Sequence, residues 1–186
     1  MRYEFQRSRI DPHMFVELGD DGIVVTPDDA PQRVVPYGDI AIVRLSFEAQ
    51  RVIPERYACT LELRSGDTLF FDSIAYQSFF SAFKPTLYRP FVEELHARLL
   101  NGDHRVRYMA GDKTGRFALQ ILLTIGIGIF GLVSLVVVSD KPWWTVMSTL
   151  LLFGGLLWNQ IRVLRRNETR DYDPREIPQD LMPEIP

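Results

Sequence analysis

The chain has 186 residues, 46% hydrophobic and 24% charged, with a net charge of −3. Those totals exclude collagen-like, low-complexity and disulfide-framework chains. A lone cysteine, Cys59, excludes an internal disulfide or a CxxC site, and the charge balance argues against nucleic acid as a partner.

From the N-terminus the pattern has period two. Tyr3 and Phe5 alternate with polar neighbours. Phe15 to Leu18 runs into Gly19-Asp20-Asp21-Gly22, and Ile23-Val24-Val25 returns. Arg33-Val34-Val35 follows the break at Pro27-Asp28-Asp29. Ala41, Val43, Leu45 and Phe47 share one face, with Ile42, Arg44, Ser46 and Glu48 on the other. Tyr57, Cys59, Leu61 and Leu63 repeat that pattern before Ser65-Gly66-Asp67 turns into Thr68 to Asp72. Alternation bounded by Gly, Asp and Pro predicts about seven antiparallel strands, spaced as in a sandwich or barrel. Tyr76, Phe80 and Phe83 predict a short helical or irregular segment. Pro90 opens a helix whose apolar stripe is Phe91, Val92, Leu95 and Leu99, closed by Asn101-Gly102. His96 lies off that stripe and is expected at the surface.

The run Val34-Val35-Pro36-Tyr37-Gly38-Asp39-Ile40, with Val43-Arg44-Leu45 after it, resembles a stretch of bacterial pleckstrin-homology (PH)-like and GRAM-like modules. The resemblance covers about residues 10 to 102. It implies a seven-stranded PH-like barrel closed by a C-terminal helix. Phosphoinositide-binding members carry basic residues at the first hairpin loop. Gly19-Asp20-Asp21-Gly22 is acidic, so that property does not carry over.

Beyond this β domain (1–102) comes a basic linker (103–116), with Arg105, Arg107, Lys113 and Arg116. Phe117 to Ser139 is then 23 residues without a charge, and Trp143 to Ile161 is another 19. As helices they reach about 35 and 28 Å, against a bilayer core of about 30 Å. Asp140-Lys141-Pro142 is short enough to force an antiparallel transmembrane hairpin (117–161, spans 117–139 and 143–161). Arg162, Arg165, Arg166 and Arg170 follow it. Basic residues at both outer flanks predict that both termini are cytoplasmic. The chain opens Met-Arg-Tyr-Glu-Phe, so no signal peptide is expected. The expected location is the bacterial inner membrane.

Thr124, Gly128 and Gly131 on the first span, and Ser148 and Gly155 on the second, form a candidate packing or partner face, since small residues permit close helix contact in lipid. No ionisable residue lies inside either span, which argues against a proton or ion path. Arg105, Arg107, Arg116, Arg162, Arg165 and Arg166 are candidate contacts for anionic lipid. The last segment (162–186) begins basic. From Asp171 it is acidic with four prolines, yet retains Tyr172, Ile177, Leu181, Met182 and Ile185. Prolines beside apolar residues suit a peptide that docks extended. The peptide is expected to dock on a partner or on the chain's own barrel, the alternative being a disordered end.

His13, His96 and His104 are too scattered for a zinc site, and Cys59 belongs to the apolar face of its strand. No catalytic residue, metal or cofactor is expected. The resulting expectation is a non-enzymatic, membrane-anchored adaptor or accessory subunit. Its partners are membrane lipid and another integral membrane protein or complex. The alternative is an anionic-lipid-binding or membrane-sensing module.

Overall fold

The computed structural model describes residues 2–5, 13–48, 56–77, 80–83, 85–102 and 104–184. The chain divides into two compact units, Met1–Gly111 with Arg170–Pro186, and Asp112–Thr169.

The first unit is α+β. A four-stranded antiparallel meander contains β1 (Arg2–Phe5), β2 (Met14–Leu18), β3 (Gly22–Pro27) and β4 (Arg33–Pro36). Gly22 lies where β3 and β4 come closest. A Cβ there would stand 2.4 Å from the carbonyl oxygen of Val35, so only glycine fits. One 3-10 turn (Tyr37–Asp39) carries the chain into β5 (Ile40–Glu48), which pairs with β6 (Arg56–Leu63), and β6 pairs with β7 (Thr68–Asp72). Gly66 closes the β6–β7 turn at φ +91°, a left-handed conformation that glycine adopts without strain. Val43, Leu45 and Phe47 are buried on β5. Tyr57, Cys59, Leu61 and Leu63 are buried on β6, as their alternation predicts, but Arg44, Ser46 and Ala58 of the opposite face are buried as well and Ala41 is half-buried.

The helix α1 (Pro85–Asn101) joins the sheets. Phe91 stacks on Tyr3 of β1 at 5.0 Å between ring centres and meets Phe71 of β7 edge-on at 5.4 Å. Tyr88, Val92, Leu95 and Leu99 continue the buried face. The helix starts at Pro85 rather than at Pro90. Pro90 forgoes only the bond to the carbonyl of the exposed Thr86.

The expected barrel of about seven strands, plugged by a helix, gives way to two open sheets and a hairpin, with eleven strands among the described residues. Tyr76, Phe80 and Phe83 lie in a two-stranded hairpin, β8 (Ile74–Gln77) and β9 (Phe80–Phe83), not in a helix. The reason is spacing: positions i, i+4 and i+7 suit a helix face, and also two short successive antiparallel strands. The second sheet continues beyond β5 into β10 (Arg107–Ala110), parallel to β5, and then β11 (Arg170–Asp171), antiparallel to β10.

The second unit holds α2 (Thr114–Val138) and α3 (Trp143–Arg166), joined at Ser139–Pro142. Both are long and apolar enough to cross a membrane, over Gly115–Val138 and Trp143–Arg166. Among the described residues, every large exposed apolar side chain except Val34, Leu87 and Leu100 lies on these two helices. The least exposed positions recur every three to four residues: Gln120, Thr124, Gly128 and Gly131 on α2, and Thr149, Phe153, Leu157 and Gln160 on α3. This is the seam of an antiparallel helix pair.

Candidate functional site

The candidate packing residues divide between two surfaces. Gly131 is buried in the seam, where an added Cβ would stand 3.1 Å from the Phe153 ring. Gly128 faces Leu157. Thr124 shares that face and donates its hydroxyl to the Gln120 carbonyl at 2.8 Å. Ser148 and Gly155 are exposed. Ser148 donates to the Thr145 carbonyl at 3.0 Å, and a Cβ on Gly155 would meet nothing within 4 Å. The first three residues therefore serve the hairpin's own packing, and the last two lie on an open face of α3.

At the base of the hairpin a polar clasp ties its two ends. The Asp112 amide donates to the Asn167 carbonyl at 3.2 Å, and the Thr169 hydroxyl donates to the Asp112 carbonyl at 2.7 Å. Gln120 donates to the Asp112 carboxylate at 3.0 Å, and Arg116 stands 3.7 Å from that carboxylate. Asp112 and Asn167 are buried.

The candidate lipid-contacting arginines are likewise not one cluster. Arg105 and Arg107 belong to the first unit, and Arg116, Arg162, Arg165 and Arg166 to the second. Arg107 makes a two-pronged pair with Asp171 at 2.9 and 3.0 Å. That hydrogen bond holds the Asp171 carboxyl below the usual carboxylate range. Arg105 offers its backbone carbonyl to Arg64 at 3.0 Å. Arg162, Arg165 and Arg166 line a groove on α3 with Trp158 and Ile161.

The tail residues come together on the first unit. Tyr172 packs beside His96 and Tyr108, with ring centres 5.9 Å from each. Its hydroxyl is 2.7 Å from His96 Nε2, and His96 Nδ1 is 2.7 Å from the Val92 carbonyl. A neutral ring satisfies both contacts: Nδ1–H donates to Val92, and Nε2 accepts from Tyr172. Burial pushes the His96 pKa below its ordinary value and raises that of Tyr108 to about 12. Leu181 and Met182 are buried, with Leu181 in a 3-10 turn (Gln179–Leu181) that contacts β5. Ile177 is half-buried, and Ile185 lies outside the described residues. Arg170 grips Asp180 at 2.7 and 2.9 Å, and Arg89 of α1 donates to Gln179 at 2.8 Å.

His96 corrects the expectation of a surface residue: it is 1% exposed. Its spacing from Val92 is i+4, so it extends the apolar stripe by one column, and Tyr172 covers it. Sequence reasoning also missed a buried polar corner. Asp72 is fully buried and pairs with Arg56, while its second carboxylate oxygen accepts from the Ile74 amide at 2.9 Å. The Tyr3 hydroxyl donates to the Asp72 carbonyl, and the Ser73 hydroxyl accepts from the Tyr57 amide at 3.0 Å. These contacts fix the bend from β7 to β8. The only sequence signal for it is the Asp-Ser pair between two apolar runs.

The run Val34–Ile40 occupies the step between the sheets. The Tyr37 hydroxyl donates to the Gly19 carbonyl at 2.9 Å, and Arg98 of α1 reaches the same carbonyl. Among the described residues, no three His, Cys, Asp or Glu side chains come together to hold a metal. No family model, curated protein or solved structure matches the chain.

Proposed function

We propose that the chain is a non-enzymatic adaptor: a PH-like domain held at the cytoplasmic face of the bacterial inner membrane by a two-helix anchor. It serves as an accessory or assembly subunit of an inner-membrane protein complex. The observation that carries this reading is the pairing of β10 with β11. The chain leaves the β domain just after β10 and re-enters it at β11, the neighbouring strand. Two membrane-length helices lie between. A chain that departs and returns at one sheet edge crosses the membrane an even number of times. The domain and tail then share one side, and the flanking arginines favour the cytoplasm.

Two sheets bridged by a C-terminal helix support the PH-like reading. The open edges and the strands beyond the seventh depart from that family's pattern. The return of the tail to the β domain at β11 favours an adaptor, because domain and tail then form one folded unit tethered by the helices. The exposed face of α3 around Ser148 and Gly155 is where a partner helix would lie.

The test is purification of the full chain from native membranes in mild detergent. A second integral membrane protein at fixed stoichiometry is expected. The chain running alone, or only with copies of itself, would overturn the reading.

A further inference from the structure

Trp158, Ile161, Arg162, Arg165 and Arg166 follow the spacing i, i+3, i+4, i+7 and i+8, so they form one face of the last turns of α3. They line a groove of about 410 Å³. Its two ends differ chemically. Trp158 and Ile161 are 75% and 41% exposed and apolar, whereas the other end carries three guanidiniums. The face spans about 12 Å along the helix. We infer that this groove is a binding site for an anionic phospholipid, with the phosphate on the arginines and an acyl chain along Trp158 and Ile161. The inference rests on α3 crossing the membrane.

The chemistry of each part fits this occupant. An indole ring with an apolar body and one N–H donor belongs at the boundary between hydrocarbon and headgroup. Arginine side chains beyond that boundary extend their stems along apolar surface and place their heads at phosphate depth. A guanidinium binds phosphate through parallel hydrogen bonds, which an ammonium cannot do. The helix C-terminus opposes an anion with about half a negative charge, against three positive charges here. Of the sequence-predicted arginines, these three share one helix face.

The natural tryptophans supply the probe. With Trp143→Phe and Trp144→Phe, Trp158 is the sole tryptophan of the full chain. The protein is reconstituted in phosphatidylcholine vesicles containing a minor fraction of either brominated phosphatidylglycerol or brominated phosphatidylcholine. Bromine quenches indole on contact. The expected result is stronger quenching of Trp158 by the anionic lipid. Replacing any one of the three arginines by Gln should lower that preference about fivefold. The triple change Arg162→Lys, Arg165→Lys and Arg166→Lys should also weaken it, because charge remains but the two-pronged bond is lost. Equal quenching by the two lipids overturns the site while leaving the membrane anchor standing. A preference untouched by the triple Lys change reduces the site to diffuse surface charge and also overturns it. No quenching by either lipid places Trp158 outside the bilayer and overturns both readings.

Discussion

Leu181→Ala is the sharpest perturbation of the tail. Leu181 is 0% exposed in a short turn against β5. Truncation to alanine removes three carbon atoms from a packed site, which costs about 2–5 kcal/mol. The other anchors are weaker. The Tyr172–His96 hydrogen bond contributes about 1 kcal/mol. The half-exposed Arg170–Asp180 pair contributes about 0–1 kcal/mol after solvent screening. If the tail opens as its own unit, the loss of Leu181 falls mainly on that opening. At 2 kcal/mol, the lower bound, the open fraction rises about 30-fold. Hydrogen exchange on the full chain in detergent reads this directly, at the Tyr172 amide that donates to the Tyr108 carbonyl. The expected outcome is exchange at least about 30-fold faster there and along β10, with β6 unchanged. Unaltered exchange at Tyr172 would refute tail packing. Acceleration spread evenly over the domain would refute a separately opening tail.

Other outcomes follow from the same contacts. Burial lowers the His96 pKa, so the unfolded state binds more protons below the ordinary value of 6.5. Stability is therefore full above that pH and falls as the solution is acidified. Melting midpoints from pH 8 down to 5 should decline, and His96→Gln should flatten that decline. Arg56→Ala leaves Asp72 buried without its cation. It should cost about 3–5 kcal/mol in urea unfolding, whereas a loss below 1 kcal/mol would contradict the buried-pair account. Gly131→Leu should pry the hairpin apart at Phe153, while Gly155→Leu should leave it intact. Tryptophan fluorescence during unfolding in mixed micelles distinguishes the two.

Much of the β domain was legible because burial on one face of a strand writes period two into the sequence. Tyr57, Cys59, Leu61 and Leu63 illustrate this, and all four are buried. The failures share a cause: the missing information was tertiary. β10 has only four residues, and its buried Tyr108 and Ala110 alternate with Arg107 and Met109 inside a stretch that reads as basic linker. Its parallel partner lies more than sixty residues away. The tail has no period at all, because its prolines and turns present Tyr172, Leu181 and Met182 irregularly. Composition marked these residues as too apolar for a solvated end, but their seat required the fold. His96 was misread because a histidine column beside an apolar stripe is buried only if another segment covers it. At the hairpin, the small residues were visible, but their division between seam and open face depends on helix rotation.

We propose that the chain crosses the membrane twice and keeps its folded domain and tail on the cytoplasmic side. Single reporter cysteines test it, placed by Asp140→Cys in the interhelical turn and Asp173→Cys in the exposed part of the tail. Cys59 can remain, because it is fully buried and burial pushes its thiol up to about 12, leaving little reactive thiolate. In intact spheroplasts, a membrane-impermeant maleimide should label the position-140 reporter, and should reach the position-173 reporter only after lysis. Labelling of the position-173 reporter from outside, or protection of the position-140 reporter until lysis, would contradict the account.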